Sequence, residues 1–403
     1  MTAPFVARHP APRLGRPTAG RQTVAFVGNQ PFALARFRTL LVRDLTTAGH
    51  RVVVFSPGWD CDPASRDVLQ AAGAETAPIA FDRSKGSLTY EARSVLSIRR
   101  ALRGLRPDAV FSHFVKPVLY TAVATAGLGI PRRVAMIEGL GVSGGGNGKR
   151  RRVLAAAYRV AGTAYDTLFV LNAEDEAYFR DDVGLRADRL RRVEGMGIDL
   201  DQFAPAPPPG RPAPTFLYVG RMLEQKGVWD FVEAARRVKA EHPGTRFVML
   251  GGADDSYDAV SEAELRRRTD AAGVEWRGHV DDVEGWLREA DVFVLPSFYR
   301  EGYPRSIMEA MATGRAVITT DNPGCREAVA DGVNGLVVPP RDPAALADAM
   351  QSLVGRPARV ARMGEEGRRL AEERYDYRRI NAIVMGALLG EPVREPVAGG
   401  VGR

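Results

Sequence analysis

Residues 205–214 read PAPPPGRPAP. Six prolines in ten residues fix φ and remove backbone donors, so this stretch forms neither a helix nor a central strand. The chain on either side has a regular rhythm. Ahead of it come TVAFVG, a helical stretch from Phe32 to about Thr47, RVVVFS, the run Leu88–Leu105, DAVFSH, RRVAMI and DTLFVL. Asn172, followed by Asp175, reads as a helix N-cap just past the last of these strands. Beyond the prolines come TFLYVG, helix Val228–Glu241, RFVMLG, helix Ala259–Ala271, VEWRG, helix Val283–Glu289, DVFVLP, helix Pro304–Thr313, AVITT, helix Arg326–Ala330 and GLVVP. Strand-like runs alternating with helical periodicity imply βαβ units around parallel sheets. The fold class is therefore α/β, with two Rossmann-like domains facing a central cleft. The first spans 23–204, the linker 205–214 and the second 215–375; a further helix covers 376–390, and 1–22 and 391–403 read as disordered tails.

Composition agrees. A chain of 403 residues is long enough for two cores, and 45% hydrophobic with 26% charged residues is the balance of a soluble globular protein. The longest apolar runs are strand-length, too short to cross a bilayer, and the first residues lack the apolar core of a signal peptide. Cys61 and Cys325 fit no disulfide or zinc spacing, which suits a reducing cytoplasm. A net charge of +7 admits an anionic partner: nucleic acid, an acidic membrane surface or a phosphorylated substrate. No helix-turn-helix, zinc-finger or RNP-type pattern is present, which sets nucleic acid aside.

Ligands of open α/β sheets bind beyond the carboxyl ends of the strands. Four loops of the second half lie there. The first is YREGYPRSIMEAMATG, residues 299–314. Pro304 suits the first turn of a helix, which puts Glu301 in the loop and Glu309 about one and a half turns inside. With Gly302 beside them, the free N–H groups around Tyr303, Arg305 and Ser306 form an anion site. Glu301 could contact hydroxyls of the bound group, and Glu309 could accept from a ribose diol. Ordinary dipole complementation by acidic residues explains the spacing equally well.

The second loop, GRMLEQKG at 220–227, carries Arg221 and Lys226 just past a strand. Two fixed cations there make a diphosphate clamp; a solvated turn is the other reading. In the third, WRGHVDD at 276–282, Gly278 and the backbone of His279 and Val280 could bond a nucleobase edge, or simply turn the chain. In the fourth, TTDNPGCRE at 319–327, Gly324 opens a helix with Glu327 in its first turn, lining a sugar or phosphate pocket or only capping.

Together these residues resemble the retaining glycosyltransferases of family 4, which have the two-Rossmann GT-B architecture. Glu301-x7-Glu309 matches their E-x7-E signature, and GRMLEQKG matches their G-R-x-x-x-x-K-G loop. The resemblance runs from about Thr23 to Leu389. It implies that Arg221 and Lys226 hold the diphosphate of a nucleotide sugar, that Glu301 contacts the donor sugar and Glu309 the ribose, and that backbone near Gly278–Val280 holds the base. It implies too that a helix around Tyr377–Leu389 crosses back onto the first domain. SHFVKP (112–117), IEGLG (137–141) and the 299–327 stretch are similar to bacterial capsule, O-antigen and lipid-linked-glycan assembly enzymes. Those enzymes continue GLG with an aromatic residue; here Val142 and SGGGNGKRRR follow, which leaves the acceptor open.

In the first half, His113 ends a strand, where it could bond a donor-sugar hydroxyl or be structural. Lys116 could meet a phosphate or cap a helix. Glu138, with Gly139 and Gly141, could form the acceptor loop and serve as a base, although retaining transfer in the family is favoured to proceed on one face without a protein base. GKRRR at 148–152 and SVLSIRRALRGLR at 94–106 are basic enough to touch anionic lipid, or to be solvated helix faces. Asp60-Cys61-Asp62 and Asp199-Leu200-Asp201 spell the D-x-D metal motif of a different glycosyltransferase fold, so no metal and no other cofactor is expected. TVAFVGNQPF lacks G-x-G-x-x-G, against a dehydrogenase.

The expectation is thus a cytoplasmic, peripheral retaining glycosyltransferase moving a hexose or N-acetylhexosamine from a nucleoside-diphosphate sugar, with UDP the expected carrier, to a polyprenyl-diphosphate-linked glycan. A soluble small-molecule acceptor, a sugar-nucleotide 2-epimerase and a binding module without chemistry are the alternatives.

Overall fold

The computed structural model describes residues 20–81, 88–140, 148–253 and 258–391, with backbone only at 149 and 150. The expected tails, Gly141 and the run from Val142 to Asn147 lie almost wholly outside them. Two parallel sheets form. The first has seven strands: β1 (Thr23–Val27), β2 (Arg51–Ser56), β3 (Glu75–Pro78), β4 (Ala109–His113), β5 (Arg132–Ile137), β6 (Thr167–Val170) and β7 (Leu190–Arg192). Their order is β3-β2-β1-β4-β5-β6-β7. The second has six: β8 (Thr215–Val219), β9 (Arg246–Leu250), β10 (Glu275–Trp276), β11 (Val292–Leu295), β12 (Ala316–Thr320) and β13 (Gly335–Val338), in the order β10-β9-β8-β11-β12-β13.

Helices cover both faces of such sheets, so the strands read as continuous apolar runs and not as alternations. Val24 to Val27 and Val292 to Leu295 are buried without a break. The helices show the complementary pattern. Helix Val228–Glu241 buries Val228, Phe231, Val232, Ala234, Ala235 and Val238, one stripe at helical spacing. It begins at Gly227, whose φ is +74°, and a Cβ there would lie 2.1 Å from the Pro296 carbonyl oxygen, so no side chain fits. Asn172 does cap helix Ala173–Ala177, accepting from the Asp175 amide at 2.7 Å.

The proline-rich connection is not a free tether. The Ala206 amide donates to the Thr313 carbonyl (3.2 Å), Gly210 to Asp291 Oδ1 (3.0 Å) and Gly355 to the Pro212 carbonyl (3.0 Å). Arg315, fully buried with its guanidinium pKa lowered to about 10 by burial, donates to the Ala206 and Ala290 carbonyls. The linker is thereby laid along the second sheet's helices. Helix Tyr377–Leu389 packs on β4, β5 and helix Pro31–Thr47 of the first half. Asn381 donates to Asp44 (2.7 Å) and Arg43 to the Tyr377 hydroxyl (2.8 Å).

One expected helix is absent. Residues 322–328 form successive turns and not a helix over Arg326–Ala330. The Ala330 amide donates to Asn334 Oδ1 (2.7 Å) and the Ala328 carbonyl accepts from Asn334 Nδ2 (3.2 Å), so a side chain takes over backbone partners that a helix would use. Of the two D-x-D stretches, Asp62 caps helix Pro63–Ala71, Asp199 accepts from its own turn, Asp201 pairs with Arg378, and Asp60 is exposed, 3.8 Å from Arg66.

Candidate functional site

The carboxyl ends of the two sheets point at each other, and the loops there meet. At the second sheet, β8 ends in Gly220, β9 in Gly251, and the loop after β10 carries Gly278. The Gly220 amide donates to Leu250 (3.0 Å) and the Gly251 amide to Gly278 (2.7 Å), which draws three glycine-bearing loops into one patch. A Cβ at Gly278 would meet nothing within 4 Å, so this backbone borders open space. The His279 side chain is 72% exposed, its Nε2 3.4 Å from Asp281 Oδ1.

The 224–226 turn is tied to the glutamate loop. The Gln225 carbonyl accepts from the Phe298 and Tyr299 amides (both 2.9 Å), which brings Lys226 against Glu301. The Lys226 ammonium bonds Glu301 Oε1, which also accepts from Ser297 Oγ at 3.1 Å. Both side chains are about nine-tenths buried, so this ion pair is shielded from bulk water. Arg221, exposed one strand-end away, lies on the same loop.

Helix Arg305–Ala312 follows. Its Ile307 and Met308 amides return to the Pro304 carbonyl (3.1 and 3.3 Å), so Arg305 and Ser306 precede the first intrahelical bond, as the anion-site reading requires. The Tyr303 side chain takes no part: it is buried against Tyr375, hydroxyl to hydroxyl 3.4 Å. Glu309 Oε1 accepts from Arg305 Nε (2.8 Å) and from Arg36 of the first helix (2.9 Å). Gly324 packs against the Glu301 and Gly302 carbonyls with its amide already used by Glu327.

From the first sheet, two elements touch the same loop. Asn172 Nδ2 donates to the Glu301 and Gly302 carbonyls (3.1 and 3.0 Å). Gly139, φ +112°, lies so close that a Cβ would stand 2.5 Å from the Gly302 amide nitrogen. Glu138 is not an open base: it is buried, paired with Arg38, and 3.3 Å from His113 Nδ1. Lys116 pairs with Glu91 at 3.2 Å. Arg36, Arg38, Ser297 and Asn172's reach across the seam were not singled out from the sequence. Arg38 had a signal: it occupies an apolar position in the series Leu34, Arg38, Leu41, Leu45, all buried.

Beside the seam, Arg300 bridges Glu174 (2.7 Å) and Asp175 (3.9 Å). Burial raises the Asp175 pKa to about 6, against the partial relief that Arg300 gives. A carboxyl raised in the folded state binds its proton more tightly there than in the unfolded chain. Its contribution therefore favours folding at low pH and declines as pH rises from about 4 to about 6. Asp175→Asn is expected to remove that decline, read as a flatter Tm against pH over this window.

The comparisons with known proteins bear on what meets at this seam. The Glycosyl transferase 4-like domain family matches residues 33–196, and Glycosyl transferases group 1 matches residues 213–356. The chain belongs to glycosyltransferase family 4. Among curated relatives of this family 4 enzyme is the N,N'-diacetylbacillosaminyl-diphospho-undecaprenol alpha-1,3-N-acetylgalactosaminyltransferase of Campylobacter jejuni. It is 26% identical over 329 residues, 78% of this chain and 84% of the relative. The UDP-Gal:alpha-D-GlcNAc-diphosphoundecaprenol alpha-1,3-galactosyltransferase of Escherichia coli is 26% identical over 272 residues, 62% and 67% of the two chains. Among solved structures, Anabaena HepE in complex with UDP and glucose superposes with a TM-score of 0.74 at 17% identity, covering 91% of this chain and 99% of that one. The architecture of this glycosyltransferase is thus GT-B. Among the described residues no group of three or more His, Cys, Asp or Glu side chains could hold a metal ion, and no helix is long and apolar enough to cross a membrane.

Proposed function

We propose that this glycosyltransferase moves a sugar from a nucleoside-diphosphate sugar, with UDP the base class favoured, to a lipid-diphosphate-linked glycan, with retention at the anomeric carbon. The observation that carries the transfer reading is the convergence of both domains on Glu301–Gly302, beside Lys226. In this reading Arg221 and Lys226 take the donor diphosphate, Glu301 a donor-sugar hydroxyl, and the backbone of Gly278 to Val280 the base. A bound diphosphate competes with Glu301 for Lys226 and so frees the carboxylate for the sugar. Glu309 accepts the ribose alongside, or in place of, Arg36.

The chemistry follows from that placement. The anomeric C1–O bond to the diphosphate breaks, and the acceptor oxygen bonds C1 on the same face. The acceptor proton passes to the departing diphosphate oxygen. Arg221, Lys226 and the amides ahead of helix Arg305–Ala312 stabilise the charge that develops on the leaving group. The seam supplies the orientation.

A lipid-linked acceptor is supported by the two relatives named above and by one face of the first domain. Helices Leu88–Leu105, Val115–Ala124 and Lys149–Gly162 lie side by side. The last carries five basic residues and no acidic one, and the first carries four arginines against Glu91. Leu88, Leu96, Val123, Val153 and Val160 are all exposed there. A cavity of about 600 Å³ beside the last of these helices is lined by Arg151, Arg152 and Arg159 together with Asp182, which pairs with Arg151 at 2.6 Å. Apolar side chains among cations suit an anionic lipid surface, at about 1 kcal/mol per cation. The test is transfer of labelled sugar from UDP-, GDP-, ADP- and dTDP-sugars to an undecaprenyl-diphosphate-linked sugar and to soluble glycosides. Label in the solvent-extractable lipid with retained configuration is expected. Label only on soluble glycosides, or an inverted product, refutes the acceptor or the stereochemistry.

A further inference from the structure

One carboxylate of the first domain orients two side chains that hold the glutamate loop of the second. Asp175 is 1% exposed, in the first turn of helix Ala173–Ala177. Its amide donates to Asn172 Oδ1 at 2.7 Å, which leaves Nδ2 as the end of that side chain facing the loop. Nδ2 donates to Asp175 Oδ2 (3.1 Å) and to the Glu301 and Gly302 carbonyls (3.1 and 3.0 Å). The same carboxylate stands 3.9 Å from Arg300 Nη2, which meets Glu174 Oε1 at 2.7 Å. Arg300 immediately precedes Glu301 and is itself mostly buried, its side chain 17% exposed. Gly139 closes on this backbone too. A Cβ there would lie 3.1 Å from the Arg300 carbonyl oxygen and 3.0 Å from the Glu301 carbonyl carbon.

These charges add little to stability. Glu174 is 40% exposed, and desolvation of Asp175 offsets its attraction to Arg300. Burial dominates at Asp175, pushing its pKa up to about 6. Arg300, from the loop after β11, and Asn172 favour the ionised form. Glu174 on its own helix and Glu327 from the 322–328 turns oppose it, and Tyr158 and Tyr178 lie close enough to feel its charge. Arg326 lies 3.4 Å from Glu174 on the same side. Above about pH 6 the carboxylate is charged, attracts Arg300 and is a strong acceptor for Asn172. Below it a neutral acid does neither well. The ionised form that grips the loop is therefore the form that stabilises the fold less. Loop order and stability run in opposite directions with pH, which sets this contact apart from a structural ion pair.

We propose that Asp175 and Arg300 are positioning residues: with Asn172 they fix the Arg300–Gly302 backbone across the domain seam so that the Glu301 carboxylate stands at the donor sugar. This rests on the transferase reading, and the experiment separates the two. It measures kcat of the whole protein from pH 5 to 8, with UDP-sugar and an undecaprenyl-diphosphate-linked sugar, and UDP affinity on the same preparations. Hydrogen exchange of the segment 299–314 in the free protein, corrected for intrinsic rates, accompanies it. The wild-type kcat should fall about tenfold from pH 7 to pH 5, as one group titrating near 6 requires, and protection of the segment should fall with it. Asp175→Asn keeps the shape, so it should show the low kcat at pH 7 and no further fall. Arg300→Met should lower kcat about tenfold at pH 7 with UDP affinity within about threefold, and Arg300→Lys should restore part of the loss. The double variant Arg300→Met with Asp175→Asn should be no slower than either single one, since both act through one contact. It also leaves no unpaired carboxylate at 175, which covers a failure of Arg300→Met to fold. An acid limb that survives in Asp175→Asn, additive losses in the double variant, or Arg300→Met within about twofold of wild type overturns the proposal. A wild type that neither binds UDP nor transfers sugar overturns the transferase reading. Hydrogen exchange then decides the positioning claim by itself, and unchanged protection of 299–314 in the variants overturns it.

Discussion

Glu301→Gln lowers turnover at least about tenfold, or roughly 1.4 kcal/mol of barrier, with nucleotide affinity nearly unchanged. The substitution keeps the shape and the bond from Ser297 Oγ at 3.1 Å. It removes the charge that pairs with Lys226. Lys226 stays available to a diphosphate, so binding persists. The neutral amide is the poorer acceptor for a sugar hydroxyl beside the anomeric carbon, where positive charge develops in the transition state. Steady-state kcat and calorimetric nucleotide affinity on the same preparation check both halves. Unchanged turnover removes Glu301 from the mechanism.

Gly302→Ala is expected to act through geometry alone, lowering kcat about a hundredfold. A Cβ on residue 302 would lie 2.4 Å from the Glu138 carbonyl oxygen and 2.9 Å from the Gly139 amide nitrogen. Both are backbone atoms of the opposite domain, so no side chain can yield and the domains must stand apart at the point where Glu301 works. The clamp residues sit on the second domain and are not displaced, so nucleotide affinity should change by less than about threefold, under 1 kcal/mol. Gly367→Ala is the control. It lies on helix Pro357–Arg374, where a Cβ meets only ordinary contacts at 3.5 Å and beyond, and activity should survive.

Much of this fold was legible because parallel strands buried on both faces leave unbroken apolar runs. The proline cluster could not belong to either sheet. Helices Leu88–Leu105, Val228–Glu241 and Val283–Glu289 carry the bounds that their periodicity indicated. The 322–328 turns were not legible, because they depend on Asn322 reaching Tyr299 and on Glu327 taking the Gly324 amide. Of the site, Lys226 and Glu301 could be singled out from loop position, though their contact could not, since they lie 75 residues apart. Arg36 meets Glu309 across 273 residues, and nothing local marks it. Arg38 is the instructive intermediate: one cation in an apolar stripe states that a buried anion awaits it, without saying which.

In the proposed reading, the strand-end loops of the second domain hold a nucleotide diphosphate. Thermal shift of the wild type and Arg221→Ala against UDP, GDP, ADP, dTDP and their sugars tests it most directly. A ligand that binds only the folded chain stabilises it by about 2.7 kcal/mol at a hundred times its Kd. One nucleotide series is expected to raise the wild-type Tm by several degrees, and Arg221→Ala to lose most of that rise. No shift with any nucleotide, or an undiminished shift in Arg221→Ala, contradicts it.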